Sequence, residues 1–158
     1  MEEFWIKHPV RYIQTLKGCA ASPYTCHQVV ANFLEWAREH TRGHDAYMLS
    51  DNCSYDTAFL RAFAKEDVMY AIPAANGDRE YHGIHDIGCI YRGVVMGITG
   101  TNPITLSSNK KAAMAALGIT EIPDWGVAHD HHPQNDAHKM GLDFPYIMQK
   151  ANERVNTR

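Results

Sequence analysis

The 158-residue chain has no apolar run close to the roughly 20 residues that a bilayer-spanning helix requires, which excludes a protein built on membrane helices. It has no excess of positive charge: the formal net charge is −3 with the histidines neutral. A protein that coats long stretches of duplex by gripping phosphates is ordinarily basic, so that class is excluded. An enzyme that holds only a strand end through bound cations remains compatible, because the metal then supplies the positive charge. The four cysteines, Cys19, Cys26, Cys53 and Cys89, include no C-x-x-C pair, which predicts free thiols in a reducing compartment rather than a disulfide framework. There is no internal repeat and no low-complexity linker, and the length suits one domain with its own core. The opening MEEFWIKHPVRY is acidic and then amphipathic, unlike a secretory signal, so an intracellular location in cytoplasm or nucleus is expected.

What is present reads as strands alternating with helices, an α/β pattern. Residues 4–17 carry a helical apolar spacing broken at Pro9, followed after Gly18 by a polar turn. Thr25 and Gln28 form a T-x-x-Q capping box at the start of a helix running to about His40. That helix places Val29, Val30, Phe33, Leu34 and Ala37 on one face. A short buried strand is expected over 46–49, then a helix from about Tyr55 burying Ala58, Phe59, Ala62 and Phe63, then a strand over 68–72 and a polar loop over 74–84. Periodicity does not decide between strand and helix for 86–95. Ser107 or Ser108 is expected to cap a helix over 109–117, with Gly118 in its left-handed closing position. A last helix starts near Pro133 and is expected to bend or break at Pro145.

Two segments hold chemistry-bearing residues. In SDNCSYDTAFL a strand runs into a polar turn and Asp56 stands where a helix begins, a position from which a side chain reaches beyond a strand end. The simpler alternative is that Asp56 or Asp51 caps that helix. In HDHHPQNDA three histidines and two aspartates crowd the entry to the last helix. Asp136 is a hard oxygen ligand suited to Mg²⁺ or Mn²⁺, and His131 can accept a proton from water near neutrality. A solvated histidine-rich loop is the plain alternative, and a zinc site is a further one, weakened by the absence of closely spaced cysteines. Smaller signals point elsewhere. Gly93, Gly97 and Gly100 do not make a phosphate loop, Lys110-Lys111 reads as a solvated helix start, and Asp86 reads as a turn or cap before a support for the site.

Together these segments resemble the DEDDh 3′–5′ exonucleases. Asn52 and Asp56 match the N-x-x-x-D of the second motif, and His131, Asp136 and Ala137 match the H-x-x-x-x-D-A of the third, in the family's order. With the aromatic segment EFWIKHP and the helix ending FLEWAREH, the resemblance spans roughly residues 3–150. It implies a ribonuclease-H-like exonuclease fold of the α/β class that lacks its first strands, because the family's opening D-x-E has no counterpart ahead of Asp56. On that reading, residues 1–158 form a single exonuclease-like domain, the C-terminal two-thirds of a complete one.

The implied activity is removal of nucleotides from a nucleic-acid 3′ end by phosphodiester hydrolysis with two Mg²⁺ or Mn²⁺ ions. Asp56 and Asp136 would be metal ligands and His131 the general base, with Asn52 and Tyr55 on the substrate; core packing is the alternative for Tyr55. The implied partner is single-stranded or 3′-terminal nucleic acid, and the missing carboxylates would come from an N-terminal segment or a partner chain. With two aspartates alone, metal affinity and activity are expected to be weak. A catalytically inactive subunit with a structural or nucleic-acid-binding role is the alternative function, and a metal-binding module built on the histidine-rich loop is a third.

Overall fold

The computed structural model describes residues 9–42, 44, 47–51, 53–65, 84–101, 105–106, 109–127 and 133–157. The chain divides into two compact units, Met1–Met48 with Asn52–Ile84, and Leu49–Asp51 with His85–Arg158.

In the first unit, helix α1 spans Pro9–Ala21. Proline is at home in a helix's first turn, where its fixed φ suits the helix and its missing N–H costs nothing. Pro9 stands at the first described position of this helix, and residues 4–8 of the expected pattern lie outside the described residues. The helix also runs through Gly18 to Ala21, so the polar turn expected after Gly18 is confined to residues 22–25. One glycine costs about 1 kcal/mol in a helix interior, which Ala20 and Ala21 beyond it help to offset. Helix α2 spans Cys26–Thr41 behind the expected capping box: Gln28 N–H donates to Thr25 Oγ1 (3.3 Å) and Thr25 N–H donates to Gln28 Oε1 (2.8 Å).

The buried face of α2 is narrower than expected. Val30, Leu34 and Ala37 are buried, whereas Val29 and Phe33 lie outside that stripe and are exposed. Helix α3, Cys53–Phe63, packs Leu60 and Phe63, with Ala64 just beyond, against Val30 and Leu34. The expected face of Ala58, Phe59 and Ala62 is instead turned outward, because the Leu60–Phe63–Ala64 spacing fits the α2 stripe and their register does not. His27 adds a tie between the two helices: its Nδ1–H donates to the Phe63 carbonyl at 2.7 Å, and its ring meets the Phe63 ring edge-on at 5.4 Å.

The strands are β1, Met48–Ser50, and β2, Ile84–Asp86; they run parallel as neighbours, and their Leu49–Ser50 and His85–Asp86 portions belong to the second unit. The expected strand over 46–49 is displaced toward Ser50, and Tyr47 before it is exposed rather than buried. The strand expected over 68–72 and the loop over 74–83 lie outside the described residues. Helix α4, Ile87–Thr99, settles the ambiguous apolar segment as helix, with Asp86 Oδ1 accepting the Cys89 N–H (2.8 Å) as its N-cap. Gly100 closes it at φ +66°, a left-handed conformation that glycine adopts without penalty.

Helix α5, Lys110–Leu117, is capped by Asn109, whose Oδ1 accepts the Ala112 N–H at 2.8 Å, rather than by a serine. Gly118 closes it at φ +72°, as expected. Helix α6, Pro133–Asn156, continues as one helix through Pro145. The residue four places back, whose carbonyl loses its donor and meets the proline ring, is Gly141, and both positions are exposed, so water can serve the orphaned carbonyl. The core of this unit is a single cluster of Ile87, Tyr91, Val95, Ala113, Leu117, Ile147 and Ala151. Ala113 is fully buried and lacks bulk, which lets α5 lie close against α4.

Candidate functional site

The first unit presents Asp56 in the first turn of α3. Its carboxylate is half-buried near the positive end of the helix dipole, a favourable position for an anion whatever else it does. The helix starts at Cys53, whose Sγ–H donates to the Ile84 carbonyl (3.4 Å) and pins this turn to the end of the following segment. Tyr55 is 56% exposed, so the core-packing alternative for it is overturned. Asn52 lies outside the described residues.

The second unit contains a pocket of about 580 Å³. Asp51, directly after β1, and Asp86, the last residue of β2, stand on its wall, so it opens at the carboxyl ends of the two parallel strands. That is where α/β sheets place ligands, since the loops leaving the strands diverge there. Helix α5 contributes Asn109 and Lys110, and α6 contributes Asp136, Lys139, Met140 and Asp143. These α6 positions are spaced three and four apart, which puts them along one face, and the same face continues into the core through Ile147 and Ala151. The expected site residue Asp136 is thus a pocket residue. His131 lies outside the described residues.

The pocket holds four carboxylates against two ammonium groups, and the charges are not evenly mixed. Asp143 is 2% exposed. Its Oδ2 accepts from Lys110 Nζ at 2.8 Å, its Oδ1 accepts from Trp125 Nε1–H at 2.9 Å, and Lys139 Nζ stands 3.9 Å from Oδ1. A buried carboxylate is tolerated only when paired and hydrogen-bonded, and here both oxygens are served. Lys110, at the start of α5 and 41% exposed as a side chain, is more than a solvated helix start: it is a cation that lets Asp143 stay buried. Burial and the Asp143 charge together push the Tyr91 hydroxyl up to about 12, so this pocket phenol stays protonated near neutrality. Asp86 serves as the α4 cap while lining the pocket.

Among the described residues, no three His, Cys, Asp or Glu side chains form a group able to hold a metal ion. The described carboxylates therefore do not make a complete cation site by themselves, and divalent ions would require further donors. All four cysteines are free thiols, as expected, and Gly93 and Gly97 lie inside α4 rather than in a phosphate loop. No helix of the described residues is long and apolar enough to cross a membrane.

Asp143, Lys139 and Trp125 were not among the residues singled out in the sequence, and Lys110 was read only as a helix start. The one local signal was an aspartate placed within the apolar stripe Met140, Ile147 and Ala151, since a charge on a core-facing stripe demands a partner. No family model, curated protein or solved structure matches this chain.

Proposed function

We propose that this chain is part of a metal-dependent 3′–5′ exonuclease of ribonuclease-H-like fold, acting on nucleic-acid 3′ ends inside the cell, in cytoplasm or nucleus. The observation that carries the reading is the position of Asp136. The aspartate of the third motif lines a pocket at the strand carboxyl ends, beside Asp51 from the turn that holds the second motif. A cavity lined by carboxylates and lysines suits a phosphodiester accompanied by cations, with negative groups for the metals and ammonium groups for the phosphate.

In this reaction a water oxygen bonds to phosphorus at the terminal linkage. The bond from phosphorus to the 3′ oxygen of the penultimate nucleotide breaks, that oxygen takes a proton, and a nucleoside 5′-monophosphate leaves. By the resemblance, Asp56 and Asp136 would hold Mg²⁺ or Mn²⁺, His131 would take the proton from the attacking water, and Asn52 and Tyr55 would bear on the terminal nucleotide. A segment or partner carrying the D-x-E carboxylates would complete the donor set. Tyr55, exposed at the start of α3, is suited to stacking on a base.

The sequence has no D-x-E ahead of Asp56, which favours a second reading, an exonuclease-like subunit without catalysis and with a structural or nucleic-acid-binding role. The two are separated by incubating 5′-labelled single-stranded RNA and DNA with the protein and Mn²⁺. The enzyme produces a ladder of strands shortened one nucleotide at a time, abolished by chelation and by Asp136→Ala. A folded protein that binds the strand and leaves it intact supports the subunit.

A further inference from the structure

Three of the pocket's charged groups form a buried arrangement that the exonuclease resemblance does not assign. Asp143 has one oxygen hydrogen-bonded by Lys110 at 2.8 Å and the other by Trp125 at 2.9 Å. Lys139 also faces this carboxylate, yet its Nζ stands 3.9 Å away, within ion-pair range and beyond hydrogen-bond range. Lys110 is thus committed to Asp143, whereas the three N–H donors of Lys139 make no hydrogen bond to it. Two ammonium groups share one carboxylate, so this three-group cluster carries a net positive charge. Asp51, Asp86 and Asp136 also line the pocket. Lys139 follows Asp136 by three residues on the same face of α6, and its side chain is only one-quarter exposed, so its attraction for an anion is weakly screened.

We propose that Lys139 is the phosphate-binding residue of this pocket, taking the phosphate of a nucleotide, with Asp143 as the positioning residue that holds its ammonium in place. The proposal deepens the exonuclease reading and rests on it for the nucleotide; the anion subsite itself rests on the charges alone. Asp143 attracts Lys139 without consuming its donors, so an incoming phosphate gains charge-assisted hydrogen bonds that Lys139 does not make to Asp143.

The test follows backbone amide shifts of the whole chain by NMR, without metal, during titration with inorganic phosphate, with uridine 5′-monophosphate and with uridine. Both phosphate-bearing probes are expected to shift the Lys139 and Lys110 amides saturably, while uridine does not. Lys139→Gln is expected to weaken both by about tenfold or more, the scale of one lost charge-assisted hydrogen bond, and Lys139→Arg to restore binding. Asp136→Asn, which removes a repelling charge, is expected to leave phosphate affinity equal or higher. The unperturbed spectrum of Lys139→Gln away from α6 reports that it folds, since Lys110 and Trp125 still serve Asp143. No saturable shift in the wild type, or undiminished binding in Lys139→Gln, overturns the proposal. Phosphate binding through Lys139 without strand shortening leaves the subsite standing and removes the exonuclease reading. Strand shortening unchanged in kcat/KM by Lys139→Gln removes the subsite and leaves the exonuclease.

Discussion

Asp143 is the residue on which the second unit's polar interior turns. Removing one of its partners leaves a buried charge incompletely served, which costs more than the pair's own net attraction is worth. Lys110→Met is therefore expected to destabilise the protein by about 1–3 kcal/mol, read from urea unfolding, with Trp125 and Lys139 covering the remainder. Ile147, fully buried in the same helix, makes a contrasting case. Ile147→Ala leaves a cavity and is expected to cost about 2–5 kcal/mol with no change in salt dependence. Tyr91 sets the alkaline limit of this core. Its folded pKa is raised from 10.0 to about 12, so above pH 10 the unfolded chain releases a proton that the native state retains. The associated stability is complete below pH 10 and declines as pH rises toward 12. The stability difference between wild type and Tyr91→Phe is expected to fall by at most about 2–3 kcal/mol across that window, measured by unfolding at stepped pH.

At the scale of elements, several local signals were legible because the chemistry that fixes them is itself local. The Thr25–Gln28 box and the Gly118 closure involve residues within a few positions of each other, and both are present in the structure. Asp86 offered a cap role and takes it, so Asp86→Ala is expected to destabilise α4 by about 1 kcal/mol and Asp86→Asn by much less, as followed by thermal unfolding. Faces were harder to read. The apolar residues of α2 extend around more of the helix than its partner covers, and only the contact with Leu60 and Phe63 of α3 selects Val30 and Leu34 over Val29 and Phe33. The helix cap at Asn109 was missed because serine and asparagine serve equally well and three candidates stand in a row.

For the whole molecule, the candidate site was legible in part. Asp136 stood out through its dense histidine and aspartate surroundings, and it lines the pocket of the second unit. The Lys110–Asp143 pair of that pocket was not legible, because the two are 33 residues apart and nothing local to either marks the other. Asp51 was read as a possible cap, and its place on the pocket wall depends on β1 ending beside β2, a pairing across a long intervening segment. Asn52 and His131 fall outside the described residues, and of the aspartates in the two segments that resemble exonuclease motifs, Asp56 lies in the first unit and Asp136 in the second. Strand cleavage from the 3′ end is the claim that joins these parts. It is tested most directly by labelling the 3′-terminal nucleotide of a single strand and measuring its release as a mononucleotide in Mn²⁺, by the protein and by Asp136→Ala. Release of the label as nucleoside 5′-monophosphate from the first moments, lost in the variant, is the predicted result. Label that stays on the strand with folded wild-type protein, or is released equally by the variant, contradicts it.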